Sequence, residues 1–246
     1  DPRIFQHTLD NIDNVLEHHP GRIVMILSDA EQDTQEVEAS VSLFCQSTSS
    51  NAQTCCDMII LKTSPRGEAY LPGIIMPLLL PDLPVSFWCT DACTIRRSEI
   101  TSLFSHADRV IINSPRVYES VDELVKTLEG IIRADRDGII TDLTWADVTP
   151  WREAMAQLFD SDVETTKLQN IRRVHIKYDE PRLFSQALYI TGWLAARLGW
   201  KFTAVEVLDS IRLNAVSNEQ PVVIQLDNDP GKPPAINSIT LKVETP

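Results

Sequence analysis

The sequence predicts an α/β fold in which a mixed β-sheet is flanked by helices. Short, nearly continuous apolar runs are typical of strands that are buried on both faces. Segments with a helical spacing of apolar residues separate several of these runs, and this order favours parallel strand–helix–strand units. Strand-like pieces divided by turn residues follow one another near the C-terminus. We therefore expect a βαβ unit around residues 85–134 and a C-terminal strand region that is largely antiparallel.

The first elements are a helix, a buried strand and a hairpin. Apolar residues at helical spacing predict a helix over 4–16, and the run RIVMIL predicts a buried strand at 22–27. Apolar and polar residues alternate over 36–46, which is the period of a strand, and the run CCDMIILK predicts the next strand at 55–62. The polar loop between these two strands indicates an antiparallel hairpin with a long connection.

The middle of the chain carries the expected βαβ unit. Residues 68–80 are apolar but interrupted by proline, which predicts a kinked helix. Strands are expected at 85–89 and 109–113, with a short helix at 98–104 between them. A Ser120–Glu123 capping pair then opens a further helix. The strands that we expect to share one sheet are 22–27, 36–46, 55–62, 85–89 and 109–113.

The C-terminal part combines two helices with several strands. Thr149 followed by Pro150 predicts a helix start in which Thr149 is the N-cap. After a strand at 172–178, Pro181 opens a long helix that ends before Gly199. Four more strands are expected, at 202–208, 211–216, 222–226 and 236–243.

The length sets the domain count. At about 100–200 residues per domain, 246 residues make one large domain or two small ones. We expect an N-terminal α/β domain at 1–140 and a C-terminal α+β domain at 141–246, or one continuous domain over the whole chain.

The charge balance argues against two classes of partner. Lys and Arg number 22 against 35 Asp and Glu, which gives a formal net charge of −13. This charge argues against nucleic-acid binding and against an anionic membrane surface, because both depend on attraction to phosphate. The longest apolar stretch, 73–80, is far shorter than the roughly 20 residues of a spanning helix.

Familiar catalytic and cofactor motifs are absent from the sequence. The eight glycines form neither GxGxxG nor GxxxxGK[ST], and neither HExxH nor GxSxG occurs. The adjacent His18 and His19 point to different faces of a helix, so they make a poor metal pair. The sequence therefore predicts no catalytic, cofactor-binding or metal-binding residues.

The five cysteines are too few, and odd in number, for a secreted disulfide framework. This count favours a cytoplasmic protein with reduced thiols. The hairpin places Cys45 opposite Cys55 or Cys56, so a disulfide from Cys45 to either one is geometrically accessible. These three residues are redox candidates, and the alternative is that the thiols are small buried apolar side chains.

Two segments suggest a protein interface. In DLTWADVTPWREAMAQLFD, residues 142–160, Trp151 shares a helix face with other apolar residues and is expected to anchor the core. Trp145 precedes that helix on irregular chain, where Arg152 lies close by, and such aromatic and arginine clusters form interface hot spots. Asp82 lies in a rigid, proline-flanked loop, where it either caps a turn or faces a partner. The partner-binding candidates are therefore Asp82, Trp145 and Arg152.

Five segments carry a resemblance to a known family. LPGIIMPLLLPDLPVSFWC (71–89), DLTWADVTPWREAMAQLFD (142–160) and GWLAARLGW (192–200) resemble motifs of the OpcA family, the glucose-6-phosphate dehydrogenase assembly proteins. HPGR at 19–22 and CCDMI at 55–59 also fit. The matches occur in order over about three quarters of the chain.

The resemblance implies a protein without catalytic activity of its own. Members of the family bind glucose-6-phosphate dehydrogenase, promote its oligomeric assembly and raise its activity, which supports the oxidative pentose phosphate pathway. In photosynthetic members this pair is linked to thioredoxin control, so thioredoxin is a second implied partner. The resemblance implies no cofactor, and it implies neither a nucleic acid nor a membrane as a partner.

Two other interpretations remain open from the residues. One is a sugar-phosphate or nucleotide sensor whose anion site would gather Arg22, Arg96, Arg97, Arg109 and Arg116. The other is an enzyme of unrecognised class, working in a cleft at the carboxyl ends of the strands. Its candidate residues would be Asp82, Asp142, Arg152 and Glu153.

Overall fold

The computed structural model describes residues 9–47 without 10, 13 and 17, then 53–90, 100, 102–114, 139–161, 167–179, 183–207, 210–230 and 236–243. They fall into two compact units. The first unit comprises the described residues up to Leu83 together with Ile100, Ser102 and Leu103, and the second unit comprises the others. The expected division into sequence domains at residue 140 stays a prediction.

A three-stranded sheet forms the centre of the first unit. Its strands are β1 (Ile23–Ser28), β2 (Glu38–Ser47) and β3 (Gln53–Thr63), in the order β1-β3-β2. β1 runs parallel to β3, whereas β2 is antiparallel to β3. The predicted antiparallel hairpin is therefore confirmed.

One face of this sheet packs against the N-terminal helical residues. The described residues between Leu9 and His18 are helical, as predicted, and the start of the expected helix lies outside the described residues. Ile12 and Leu16 join a buried cluster with Met25, Cys56 and Met58. Cys56 therefore faces the core as a free thiol, because successive residues of a strand point to opposite faces.

The other strand of the hairpin is exposed. β2 is an edge strand, and the side chains of Val41 and Leu43 are 71% and 75% exposed. The alternating pattern over 36–46 thus identifies a strand correctly. Its apolar side nevertheless faces solvent in the structure.

A disulfide joins the two hairpin strands at their open end. Cys45 and Cys55 are directly opposite in the register, and their Sγ atoms are bonded. This is one of the two pairings that the hairpin allows from the sequence. The two cysteines are ten residues apart in sequence, so the bond closes the connection between β2 and β3.

Proline divides the segment after β3, as expected. A 3-10 turn at Glu68–Tyr70 leads into the short helix α1 (Leu71–Ile75), and a second 3-10 turn follows at Met76–Leu78. Proline stands in the first turn of both later pieces, where its missing N–H costs no hydrogen bond.

A separate parallel sheet opens the second unit. β4 (Ser86–Trp88), β5 (Arg109–Ile112) and β6 (Ile139–Asp142) lie side by side in that order. The parallel pairing confirms the predicted βαβ arrangement, with a 3-10 helix at Ser102–His106 in the first connection. The helix expected after Ser120 lies outside the described residues.

The expectation that five strands share one sheet is wrong. The strands predicted at 22–27, 36–46 and 55–62 form the first sheet, and those at 85–89 and 109–113 belong to the parallel one. Apolar runs identify buried strands by their composition and period. They carry no information about which strands pair, and here the proline-divided segment separates the two groups.

A five-stranded sheet closes the second unit. Its strands are β7 (Ile171–Tyr178), β8 (Lys201–Val207), β9 (Ile211–Ser217), β10 (Gln220–Asn228) and β11 (Ile236–Val243), in the order β11-β7-β10-β9-β8. Only β7 and β10 pair in parallel. The largely antiparallel C-terminal region is confirmed.

Among the described residues, three complete helices accompany this sheet. They are α2 (Leu143–Asp147), α3 (Thr149–Leu158) and α4 (Phe184–Leu198). α4 ends as predicted at Gly199, whose φ of 68° is the left-handed conformation that glycine adopts readily. α3 begins one residue earlier than expected, so Thr149 is its first residue and Val148 its N-cap.

The main core lies between α4 and one face of the five-stranded sheet. Val174 and Ile176 of β7 pack with Ile190 and Leu194 of α4 in one buried cluster. Trp151 of α3 is half-buried and packs against this cluster, as expected for a core anchor. No helix in the described part of the chain is both long and apolar enough to cross a bilayer.

Trp151→Ala should lower the free energy of unfolding by roughly 3 kcal/mol, because it removes a large side chain that packs on the core. Urea melts of the purified chain provide the measurement. Leu158→Ala is the control, since Leu158 lies on the same helix but is 65% exposed. Its effect should stay within about 0.5 kcal/mol. Equal losses for both variants would contradict the placement of Trp151.

Reduction of the Cys45–Cys55 disulfide should lower the free energy of unfolding by about 2.5 kcal/mol. The bond restricts the unfolded chain by closing a loop of ten residues, and the loss follows from loop-closure entropy. The oxidised chain is compared with the Cys45→Ser/Cys55→Ser variant in urea melts. Identical unfolding midpoints in the two forms would show that the bond does not constrain the chain.

Candidate functional site: the Trp145–Arg152 stack

Trp145 forms a cation–π stack with Arg152 on the surface of the second unit. The guanidinium carbon of Arg152 lies 3.5 Å from the indole centroid, and the indole is also in contact with Tyr189, at 5.9 Å between ring centroids. Trp145 remains 39% exposed. The expectation that it lies on irregular chain is wrong, because α2 includes it and supplies a fixed backbone.

Hydrogen bonds hold Arg152 over the indole. Its Nη2 donates to the carbonyl oxygen of Trp145 at 3.1 Å and to the hydroxyl of Thr149 at 2.7 Å. Its Nε is buried and has no acceptor in the described part of the chain. The sequence places α2 and α3 almost end to end, and this junction lets Arg152 reach back to Trp145.

A buried carboxylate, Asp142, fixes the base of the stack. It is the last residue of β6 and the N-cap of α2, where its Oδ1 accepts from the backbone N–H of Thr144 at 2.9 Å. The same oxygen accepts from the N–H of Ser114 at 3.2 Å, and Oδ2 accepts from the hydroxyl of Tyr189 at 2.9 Å. Asp142 therefore ties the parallel sheet to the helices that carry Trp145 and Tyr189.

This structural role of Asp142 differs from the catalytic role that the sequence suggests. Asp142 was a candidate only for catalysis, although an aspartate between an apolar strand and a helix is a common N-cap. That signal could have identified its contact with Thr144. Tyr189 lies 47 residues away in sequence, and its contact with Asp142 has no local signature.

Asp147 is the titratable group at the end of α2. Partial desolvation of its carboxyl, and then the negative charge of Asp142, raise the pKa of the Asp147 carboxyl above its ordinary value of 3.8, although the residue itself is exposed. Both causes disfavour the charged form. A second carboxylate thus lies close to the stack in an environment that resists its ionisation.

Asp82 belongs to the other unit of the chain. It lies exposed in a turn of the first unit, whereas the stack belongs to the second unit. Leu80 and Leu83 beside it are 41% and 52% exposed. The backbone N–H of Leu83 closes the turn on the carbonyl oxygen of Leu80, a bond that does not involve the Asp82 side chain.

The arginines proposed for an anion site are only partly described. Arg22 donates from Nε to Asp57 at 2.7 Å and from Nη1 to the carbonyl oxygen of Leu78 at 3.0 Å. The hydrogen bond from Arg22 lowers the pKa of the Asp57 carboxyl. Arg109 lies exposed in the second unit, and the other three, Arg96, Arg97 and Arg116, are outside the described residues. The charge of Arg22 is thus already neutralised within its own unit.

The two carboxylates of the second unit that were proposed for an enzyme have different surroundings. Asp142 is engaged by three donors, and Glu153 is exposed on α3. The described residues contain no group of three or more His, Cys, Asp or Glu side chains that could hold a metal ion. A cleft of about 750 Å³ in the first unit is lined by residues that include Asp29, Glu36 and Lys62.

Asp147→Asn should raise the free energy of unfolding at pH 7. A raised pKa in the folded state means that the charged form is less stable in the folded chain than in the unfolded one. The gain should shrink as the pH falls through the folded pKa, and should vanish below the unfolded value of 3.8. Urea melts across this range test it, with Glu153→Gln as an exposed control. A gain that does not change with pH would contradict the assignment.

Two family models match the chain. The model described as "Glucose-6-phosphate dehydrogenase subunit N-terminal domain" matches residues 13–129, and the model of the corresponding C-terminal domain matches residues 139–240. Together they include nearly all of the described chain and leave the Trp145–Arg152 stack inside the C-terminal match.

Curated relatives carry the same family name. A protein of Synechocystis sp. named OxPP cycle protein OpcA is 30% identical over 190 residues, which cover 76% of this chain and 39% of that protein. Its namesake in Nostoc punctiforme is 29% identical over 215 residues, which cover 85% of this chain and 45% of that protein. The chain thus spans less than half the length of these relatives.

A solved structure also aligns with the chain, but its similarity is weaker. The oxidoreductase yvaA of Bacillus subtilis aligns with a TM-score of 0.37 at 12% identity, over 61% of this chain and 48% of that one. Similarity this weak carries no argument. The two matched domains and the curated relatives agree with one another, and they show that this chain belongs to the OpcA family.

Proposed function

We propose that the chain is a non-catalytic assembly factor and allosteric activator. It binds glucose-6-phosphate dehydrogenase, promotes the active oligomer of that enzyme and supports the oxidative pentose phosphate pathway. The family models, whose descriptions name a subunit of this dehydrogenase, support the proposal.

The observation that carries the proposal is the Trp145–Arg152 stack. Trp and Arg are enriched among the residues that dominate binding energy at protein interfaces. Here both are held in place before any partner arrives, Trp145 by α2 and Arg152 by two hydrogen bonds. Little side-chain freedom is then lost on binding, which favours affinity.

Activation requires a difference in affinity between two states of the enzyme. A factor that bound the active and inactive oligomers equally would shift nothing, however tightly it bound. We therefore expect the stack to contact a surface that exists only in the active oligomer. The overall charge of −13 would accelerate the encounter with a basic region of the enzyme.

The Cys45–Cys55 disulfide supports a redox element of this proposal. Both cysteines are exposed, so a dithiol protein such as thioredoxin can reach the bond. Cys56 is buried in the core cluster, which separates it from such exchange. Reduction would release the open end of the hairpin, which belongs to the first unit, whereas the Trp145–Arg152 stack belongs to the second.

Trp145→Ala should weaken activation of glucose-6-phosphate dehydrogenase from the same organism by an amount of hot-spot size, about 2 kcal/mol. The chain is titrated into the enzyme while dehydrogenase activity and oligomer size are followed. The loss of contact with Tyr189 and Arg152 should reduce the free energy of unfolding by only about 1 kcal/mol.

Leu158→Ala is the matched control, because it removes an exposed apolar side chain outside the stack. It should activate like the unaltered chain. Equal activation by Trp145→Ala would exclude the stack as the contact. If the unaltered chain changes neither the activity nor the size of the enzyme, the proposed function itself is wrong.

A further inference from the structure

The five-stranded sheet of the second unit has one covered face and one open face. α4 and the main core cover the face to which Val174 and Ile176 point. The alternate residues of β7, which are Arg173, His175 and Lys177, point to the other face and are exposed or half-buried. The open face is therefore polar along β7.

Basic side chains are concentrated on this open face. Arg173 of β7 lies directly opposite Lys242 of β11, and Arg212 of β9 lies opposite Gln225 of β10. Arg173, Arg212 and Lys242 are all exposed. We call these three residues the basic face.

The acidic groups nearby are already engaged by other partners. Asp227 accepts from His175 Nε2 at 2.6 Å, and Asp229 pairs with Lys177 at 3.7 Å. Glu206, opposite Arg212, accepts instead from the side-chain amide of Asn214 at 2.8 Å. Within the described part of the chain, the three residues of the basic face have neither an ion pair nor a side-chain hydrogen bond.

The positive charge of the basic face contrasts with the negative net charge of the chain. The chain has a net charge of −13, so acidic partners for surface cations are abundant in its composition. Like charges directly opposite on neighbouring strands, as at Arg173 and Lys242, destabilise a sheet. The facing cations Arg173 and Lys242 are therefore unfavourable for the isolated chain, and they become favourable when anions cover them.

We propose that the basic face docks an acidic surface of glucose-6-phosphate dehydrogenase. This inference rests on the proposed function, since it names the chemistry of a second contact with the same enzyme. Arg173 and Arg212 are two strands apart and offset by two residues along the strands, so about 12 Å separates their Cα atoms. A single small anion does not span this distance, whereas a protein surface with several carboxylates does. The phosphates of a nucleic acid or an anionic membrane would extend beyond the basic face, where the acidic remainder of the chain would repel them, whereas the carboxylates of a protein surface can be confined to the contact.

The two contacts lie on different sides of the second unit. The Trp145–Arg152 stack touches Tyr189 of α4, the helix that covers the inner face of the sheet. The basic face is on the outer side. Its contact is electrostatic and solvent-exposed, so it should govern the rate of association and its salt dependence more than the residence time.

The test compares binding of three forms of the chain to the dehydrogenase at low and high salt. Arg173→Glu/Lys242→Glu should weaken binding by about tenfold at low salt, mainly through slower association, and should reduce the dependence on salt. Lys62→Glu/Arg66→Glu is the control, because it makes the same change in net charge within the first unit. The control should bind like the unaltered chain, and circular dichroism melts should show that all three forms are folded.

The outcomes separate the two proposals. If the unaltered chain binds and the double reversal on the basic face binds equally well, the basic face is not a docking surface and the proposed function stands. Equal weakening in the Lys62/Arg66 control would assign the effect to net charge and overturn the inference in the same way. Binding of the unaltered chain to duplex DNA or to phosphatidylserine vesicles, lost on reversal of the basic face, would overturn an acidic protein as the partner. If the unaltered chain does not bind the enzyme at all, the proposed function fails first.

Discussion

The carboxylate of Asp142 is the constraint on which the second unit depends. It caps α2, and it accepts hydrogen bonds from the backbone N–H of Ser114, just after β5, and from the hydroxyl of Tyr189 on α4. Burial of a carboxylate costs free energy unless several hydrogen-bond donors compensate for it. The hydrogen bonds then fix the positions of those donors. The parallel sheet, α2 and the long helix are thereby held in one geometry. Because Asp142 fixes α2, the exposed surface that Trp145 and Arg152 form is also held rigidly.

Much of the fold follows from local signals in the sequence. The hairpin of β2 and β3, the end of α4 at Gly199 and the four last strands could all be predicted, because strand period and glycine caps are local properties. The division into separate sheets could not be predicted. Strand pairing is decided by contacts between distant segments, and an apolar strand such as β4 would be equally compatible with either sheet.

The candidate site shows the same limit. Its residue types were predictable, since Trp145 and Arg152 stand seven positions apart in an unusual segment. Its geometry was not predictable, because the stack depends on a helix junction at Val148 and on Tyr189, which is far away in sequence. The basic face is still less visible in the sequence. Arg173, Arg212 and Lys242 are scattered over seventy residues and become neighbours only through the order of the strands.

The exposed apolar side of β2 has a consequence for the behaviour of the chain in solution. An edge strand with open backbone groups and exposed Val41 and Leu43 is a template for edge-to-edge association between molecules. The repulsion that comes with a charge of −13 opposes such contacts at neutral pH. This protection weakens when acid neutralises the carboxylates or when salt screens them. Colloidal stability of the chain therefore rests on its acidic surface, and a mildly acidic, salty buffer should favour aggregation through β2 before the fold itself is lost.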